Sequence, residues 1–217
     1  MNEVENVIRY YTLCNTLKSL VRTGWQKWNV QADRLESVAE HIYGVQMLAI
    51  AMYSEFKYDI DIYKVILMLS VHELEEIIIG DFTPFQISKE EKEKLGHEAI
   101  NKVLDCLLDK EQIKSLILEF DERKTEEAKF AYYCDKLECD LQCKLYDEQG
   151  LVDITKPNDV DVIENKRINE ILANNMSWSE MWLKNGQDNY NYDDHFKAVS
   201  DYALTHNIRQ GDNLNVQ

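Results

Sequence analysis

Residues 61–80 read DIYKVILMLSVHELEEIIIG, and their pattern decides the fold. From Val65 to Val71 the chain is apolar on every side of a helical turn, so this segment predicts a central helix surrounded by others. Asp61 opens it and Gly80 ends it, ahead of the loop Asp81-Phe82-Thr83-Pro84. His72 and Glu73 stand directly after the apolar run. Successive helical residues are about 100° apart, so both lean toward one point and Glu76 shares their side. Three polar groups therefore line one wall beside the most apolar helix of the chain.

Outward from this segment the chain stays helical in pattern. Residues 3–20 place Val4, Val7, Ile8, Tyr11, Leu17 and Leu20 at helical spacing, whereas 22–36, RTGWQKWNVQADRLE, loses the period and predicts an ordered loop. Ser37-Val38-Ala39-Glu40 is a capping box that opens a helix, with His41 in its first turns. His41 shares a face with Val38, Val45, Leu48 and Met52, so the imidazole points into the core. Further helices are expected over Ser88–Leu108, 111–121 and Thr125–Tyr146. The last carries Phe130, Cys134, Leu137, Leu141 and Leu145 on one stripe, with Asp135 at its edge. Beyond Gly150 and a turn at Lys156-Pro157-Asn158, helices are expected near 161–174, 177–185 and 193–206. Only seven Gly and two Pro punctuate 217 residues. The expectation is an all-α fold, one domain over residues 1–206, with a disordered polar tail over 207–217.

Composition narrows the function classes. Forty acids against 24 Lys and Arg give a net charge of −16. Acids scattered over helix faces argue against nucleic acid as a partner and favour a metal cation. No apolar segment has the length of a bilayer span and no leader precedes the first helix, so the protein is expected in the cytoplasm without membrane contact. Cys14, Cys106, Cys134, Cys139 and Cys143 form no CxxC pair and read as reduced core thiols. His97, His195 and His206 have no companions at ligand spacing and read as surface or capping groups. Trp178 and Trp182, one turn apart, read as a packing anchor.

Burying an ionised carboxylate beside imidazole is costly, and a divalent cation is the usual compensation. His41 and Asp135, on other helices, are placed to complete a shell begun by His72 and Glu73. Two imidazoles and two carboxylates suit Mn²⁺, Fe²⁺, Co²⁺, Ni²⁺ or Zn²⁺ better than Ca²⁺. Glu76 and Asp81 then stand where a proton-handling carboxylate is needed. The competing interpretation is ordinary: a histidine satisfied by a hydrogen bond, an aspartate paired with a lysine, and a solvated acidic face.

Arg34 to His41 (RLESVAEH), Val71 to Pro84 (VHELEEIIIGDFTP), Ala128-Lys129-Phe130 and Asp135 to Glu138 (DKLE), in this order and spacing, resemble the HD-domain superfamily, and more narrowly its 5′-deoxynucleotidases. The resemblance covers about residues 15–148, including Arg22-Thr23-Gly24-Trp25. It implies a helical HD-domain bundle with additional C-terminal helices, and one divalent transition metal on His41, His72, Glu73 and Asp135. It also implies Glu76 and Asp81 acting on the attacking water and the leaving 5′-oxygen, Arg22 on the phosphate, Trp25 beside the sugar, and Thr83 as a further substrate contact. The implied reaction is hydrolysis of 2′-deoxynucleoside 5′-monophosphates by a homodimer. Its competitors are a non-catalytic nucleotide-binding or regulatory module and a hydrolase of another nucleotide. The eponymous His-Asp is here His72-Glu73, which carries the carboxylate outward by about one bond length, ~1.5 Å.

Overall fold

A computed structural model describes residues 2–83, 86–158, 164–166, 169–170, 173 and 176–209. Those residues are all-α: α1 (Glu3–Asn15), a 3-10 turn (Thr16–Lys18), α2 (Thr23–Lys27), α3 (Val38–Phe56), α4 (Ile62–Val71), α5 (Glu76–Ile79), α6 (Lys89–Val103), α7 (Lys110–Glu122), α8 (Glu126–Glu148), α9 (Trp178–Tyr190) and α10 (Asp194–Thr205). An isolated antiparallel bridge joins Val21 to Ser37. The helix expected over 161–174 and the tail from residue 210 lie largely outside the described residues. No helix among the described residues is long and apolar enough to cross a membrane. All five cysteines are free thiols.

The chain divides into two compact units. The first contains residues 1–24 and 36–134. Its α3 buries Val38, His41, Val45, Ala49 and Met52, a spacing of three and four residues that gives one continuous seam. That seam packs on α4, which buries Val65, Met68, Leu69 and Val71 and in turn packs on α7. Each fully buried aliphatic side chain contributes roughly 1.5–3 kcal/mol, so a histidine occupying a seam position gives up that gain. Gln46 of α3 ties the pair by donating to Ile66 O (3.3 Å) and Ser70 Oγ (2.8 Å). A second cluster joins Leu17, Val38, Val71, Leu74, Ile100, Leu104 and Ile117.

Three expectations are corrected. Helix 61–79 is interrupted after Val71 and resumes as α5. α4 is not covered all round, since Tyr63 is 87% and Leu67 47% exposed. The stretch expected as a loop, 22–36, contains the short α2, whose five residues are too few to display a period.

The second unit contains residues 25–35 and 135–217. Its core is aromatic: Trp25, Trp28, Val30, Cys143, Tyr146, Trp178 and Met181, with Trp182 packed against them. Trp25 meets Tyr146 edge-on at 5.4 Å and Trp178 at 6.0 Å, the geometry that ring quadrupoles favour. α9 packs on α10, and Gly186 of α9 leaves the space that Asp140 fills. The Tyr192 hydroxyl donates to that buried carboxylate at 3.2 Å.

Candidate active site

The site is built where α3 begins and α4 ends. Ser37 caps α3 as expected: its Oγ accepts from Glu40 N–H (3.3 Å), and Glu40 Oε2 accepts from Ser37 N–H (2.9 Å). His41 follows in the first turns and is completely buried. Arg22 is fixed beside this start, because its N–H donates to Glu36 O (3.0 Å) while Val38 N–H donates to Leu20 O (2.8 Å).

After Val71 the backbone winds more tightly. Leu74 N–H donates to Val71 O (3.2 Å), Glu76 N–H to Glu73 O (3.2 Å) and Ile77 N–H to Leu74 O (3.3 Å). In such a turn side chains three residues apart eclipse one another, so Glu73 and Glu76 face the same way. His72 Nδ1 lies 2.8 Å from Leu69 O. A carbonyl only accepts, so Nδ1 is the donor, which leaves Nε2 as the ring atom turned toward Glu73.

Glu73 Oε1 is the meeting point. It lies 3.7 Å from His72 Nε2, 3.9 Å from His41 Nε2 and 3.7 Å from Arg22 Nη1. These separations are longer than hydrogen bonds. Donors each about 2.0–2.2 Å from one ion can stand up to roughly 4.2 Å apart, so the two imidazoles and the carboxylate fit a shared cation. One ligand atom from each of the three lies within 4.8 Å of the others. Asp135 belongs to the second unit, as the residue after Cys134 in the unbroken helix α8. It is 3% exposed, with Oδ2 at 2.8 Å from Lys136 Nζ.

The other expected residues are placed as follows. Glu76 is buried, and burial followed by the charges of Glu73 and Asp81 raises its pKa well above the usual carboxylate range. Asp81 follows Gly80, whose φ of +81° and ψ of 168° lie in a region open essentially to glycine alone. Asp81 Oδ2 accepts from Thr23 N–H (2.6 Å), and its carbonyl accepts from Thr23 Oγ1–H (2.6 Å). Thr83 N–H and Oγ1–H both donate to Gln86 Oε1, at 2.9 and 3.1 Å. Trp25 lies in the aromatic core of the second unit, 2% exposed. His97 pairs with Asp121 at 3.0 Å, and His206 caps α10.

Three residues escaped the sequence analysis. Thr23 holds Asp81, as above. Glu75 is pushed up to about 8 by burial and then by the charge of Glu73. Lys92 of α6 places Nζ 3.2 Å from Glu76 Oε1. Burial works against that ammonium, but Glu73, Glu76, Glu75 and Asp81 outweigh it and raise its pKa. A mid-helix glycine one turn further on, Gly96, was the available signal, since such a residue marks close backbone approach.

Residues 14–176 match the family model described as HD domain. The chain belongs to the HD-domain family. Among its relatives, the 5′-deoxynucleotidase HDDC2 of Dictyostelium discoideum is 35% identical over 154 residues, covering 67% of this chain and 80% of the relative. The 5′-deoxynucleotidase hdd1 of Schizosaccharomyces pombe is 30% identical over 151 residues, covering 66% and 74%. The crystal structure of the PH0347 protein from Pyrococcus horikoshii OT3 superimposes with a TM-score of 0.60 at 24% identity, covering 84% of this chain and 97% of that one. That likeness shows a shared fold.

Proposed function

We propose that this HD-domain protein is a metal-dependent 5′-deoxynucleotidase, which hydrolyses 2′-deoxynucleoside 5′-monophosphates to deoxynucleoside and phosphate. The observation that carries it is the convergence of His41 Nε2, His72 Nε2 and Arg22 Nη1 on Glu73 Oε1 at 3.7–3.9 Å. Relatives bearing that activity in their names support the substrate class. On this reading His41, His72, Glu73 and Asp135 would hold the cation, one of Co²⁺, Mn²⁺, Ni²⁺, Fe²⁺ or Zn²⁺. A cation held there would supply Lewis acidity toward a phosphoryl oxygen and would lower the pKa of water.

The chain supplies the rest. Arg22 neutralises phosphate charge, and its backbone pairing with Glu36 keeps the guanidinium at the site's edge. The family resemblance assigns Trp25 a place beside the sugar and Thr83 a substrate contact, although Trp25 is 2% exposed and leaves little ring surface for one. Glu76, whose ionised form Lys92 and Arg22 favour against burial, takes a proton from the attacking water, and Asp81, oriented by Thr23, serves the departing 5′-oxygen. One proton thus moves from water to O5′ by way of two carboxyl groups.

The matched segment contains residues of both units, which supports one catalytic domain over residues 1–206. Free thiols support a reducing compartment, and we place the protein in the cytoplasm. A homodimer is supported by exposed apolar side chains on the first unit: Tyr43, Met47 and Ile50 of α3, and Tyr63 and Leu67 of α4.

Glu73 favours a second reading, a nucleotide-binding module without turnover, because a longer arm replaces the aspartate of the related enzymes. Phosphate release from dAMP after loading with Co²⁺ or Mn²⁺ separates the two. The enzyme reading expects release, and a loss of at least about 100-fold in Glu76→Ala. Undiminished release in Glu76→Ala would remove the role given to that residue.

A further inference from the structure

α6 packs against α5 with Lys92 and Gly96, one helical turn apart, on the facing side. A Cβ at Gly96 would stand 3.4 Å from Glu75 Cγ. Glycine therefore lets the α6 backbone come close to Glu75 and Glu76, and this brings Lys92 within reach. Its Nζ lies 3.2 Å from Glu76 Oε1, where the Glu76 side chain has no exposure and that of Lys92 keeps 30%. The two oxygens of Glu76 are consequently unlike. Oε1 is held by an ammonium, whereas Oε2 is buried with no hydrogen-bond partner among the described residues.

An ionised carboxylate shut away from water is costly unless a charge compensates it. A carboxylate anchored at one oxygen has its other lone pairs fixed in direction. We propose that Lys92 is the positioning residue for Glu76: its ammonium fixes Oε1 and so aims Oε2 at the attacking water as the atom that takes the proton. In the step, a water O–H bond breaks and its proton goes to Oε2. The water oxygen bonds to phosphorus, and the P–O5′ bond breaks. O5′ leaves with the proton delivered through Asp81, so that atoms and charge balance. This assignment rests on the proposed role of Glu76.

The test compares wild type, Lys92→Met, Lys92→Arg, Glu76→Gln and the double variant Lys92→Met/Glu76→Gln. Phosphate release from dAMP with Co²⁺, bound metal, and the thermal midpoint of the metal-free proteins are measured for each. Lys92→Met is expected to retain bound metal and a KM within about threefold of wild type, while kcat falls at least about 30-fold, the scale of a misplaced reacting group. Lys92→Arg is expected to recover at least about a tenth of the wild-type kcat, because it restores the cation. In the metal-free proteins Lys92→Met lowers the thermal midpoint when Glu76 is present and lowers it far less beside Glu76→Gln. A kcat within about threefold of wild type in Lys92→Met, or a rise in KM alone, would overturn the assignment. Additive midpoint shifts would do the same. Should the wild type release no phosphate from any nucleotide, the proposed function fails separately, and the midpoint cycle still decides whether Lys92 holds Glu76.

Discussion

Glu75 is the residue whose protonation departs most usefully from the ordinary. Its usual value of 4.5 rises to about 8 through burial and the charge of Glu73. Between these two values the folded protein keeps a proton that the unfolded chain releases, so stability falls as pH rises through that window. Glu75→Gln removes the penalty. Melting curves of metal-free protein are expected to show a flatter pH dependence between about 4.5 and 8, with a midpoint at pH 8 above wild type. Equal slopes would mean that Glu75 is ionised throughout. From sequence, Glu73, Glu75 and Glu76 pass equally well for a solvated acidic face, because spacing along a helix does not reveal whether another helix covers it. Only Glu76 and Glu73 were legible, through their relation to His72. Lys92 was not, because its partner lies sixteen residues away across the α5–α6 contact.

The decisive element is the tight turn between α4 and α5. Periodicity predicted one helix over 61–79, and correctly placed His72, Glu73 and Glu76 on one wall. It could not register the interruption, since every residue from His72 to Glu75 is compatible with an uninterrupted helix. The tight turn stacks Glu76 over Glu73, and Gly80 then redirects the chain so that Asp81 meets Thr23. Gly80→Ala forces a β-carbon into a backbone with φ +81° and ψ 168°, costing about 1–2 kcal/mol. The midpoint is expected to drop by about 2–8 °C, with a lower kcat because Asp81 shifts. A stable variant with full activity would show that the Asp81–Thr23 contact does not depend on this turn. The capping box at Ser37 is present as the sequence signature requires, and Ser88 with Glu91 forms another. α2 was missed because Trp25 and Trp28 read as loop aromatics, whereas both are core residues of the second unit.

At the scale of the whole molecule, the all-α class followed from long periodic segments with few glycines and prolines, and the division into two compact units did not. Leu35 and Glu36 are adjacent in sequence yet fall in different units, and no change of composition marks that boundary. The uncovered side of α4 carries its own expectation. Gln46 and Ile66 are hydrogen-bonded, so Met47 and Leu67, each one residue further on, lie on neighbouring helices. If two copies join there, Leu67→Glu converts a dimer into a monomer in size-exclusion chromatography with light scattering. An unchanged mass would move the interface elsewhere. The central claim is that the buried imidazoles and Glu73 hold a cation for phosphate-ester hydrolysis. Its most direct test is phosphate release from deoxynucleoside, cyclic and polyphosphorylated nucleotides by the purified protein, before chelation, after it, and after return of Co²⁺ or Mn²⁺, with bound metal measured throughout. The account predicts phosphate from the deoxynucleoside 5′-monophosphates, lost on chelation and restored together with about one bound ion per chain. Nucleotide binding without phosphate release under any metal would contradict it.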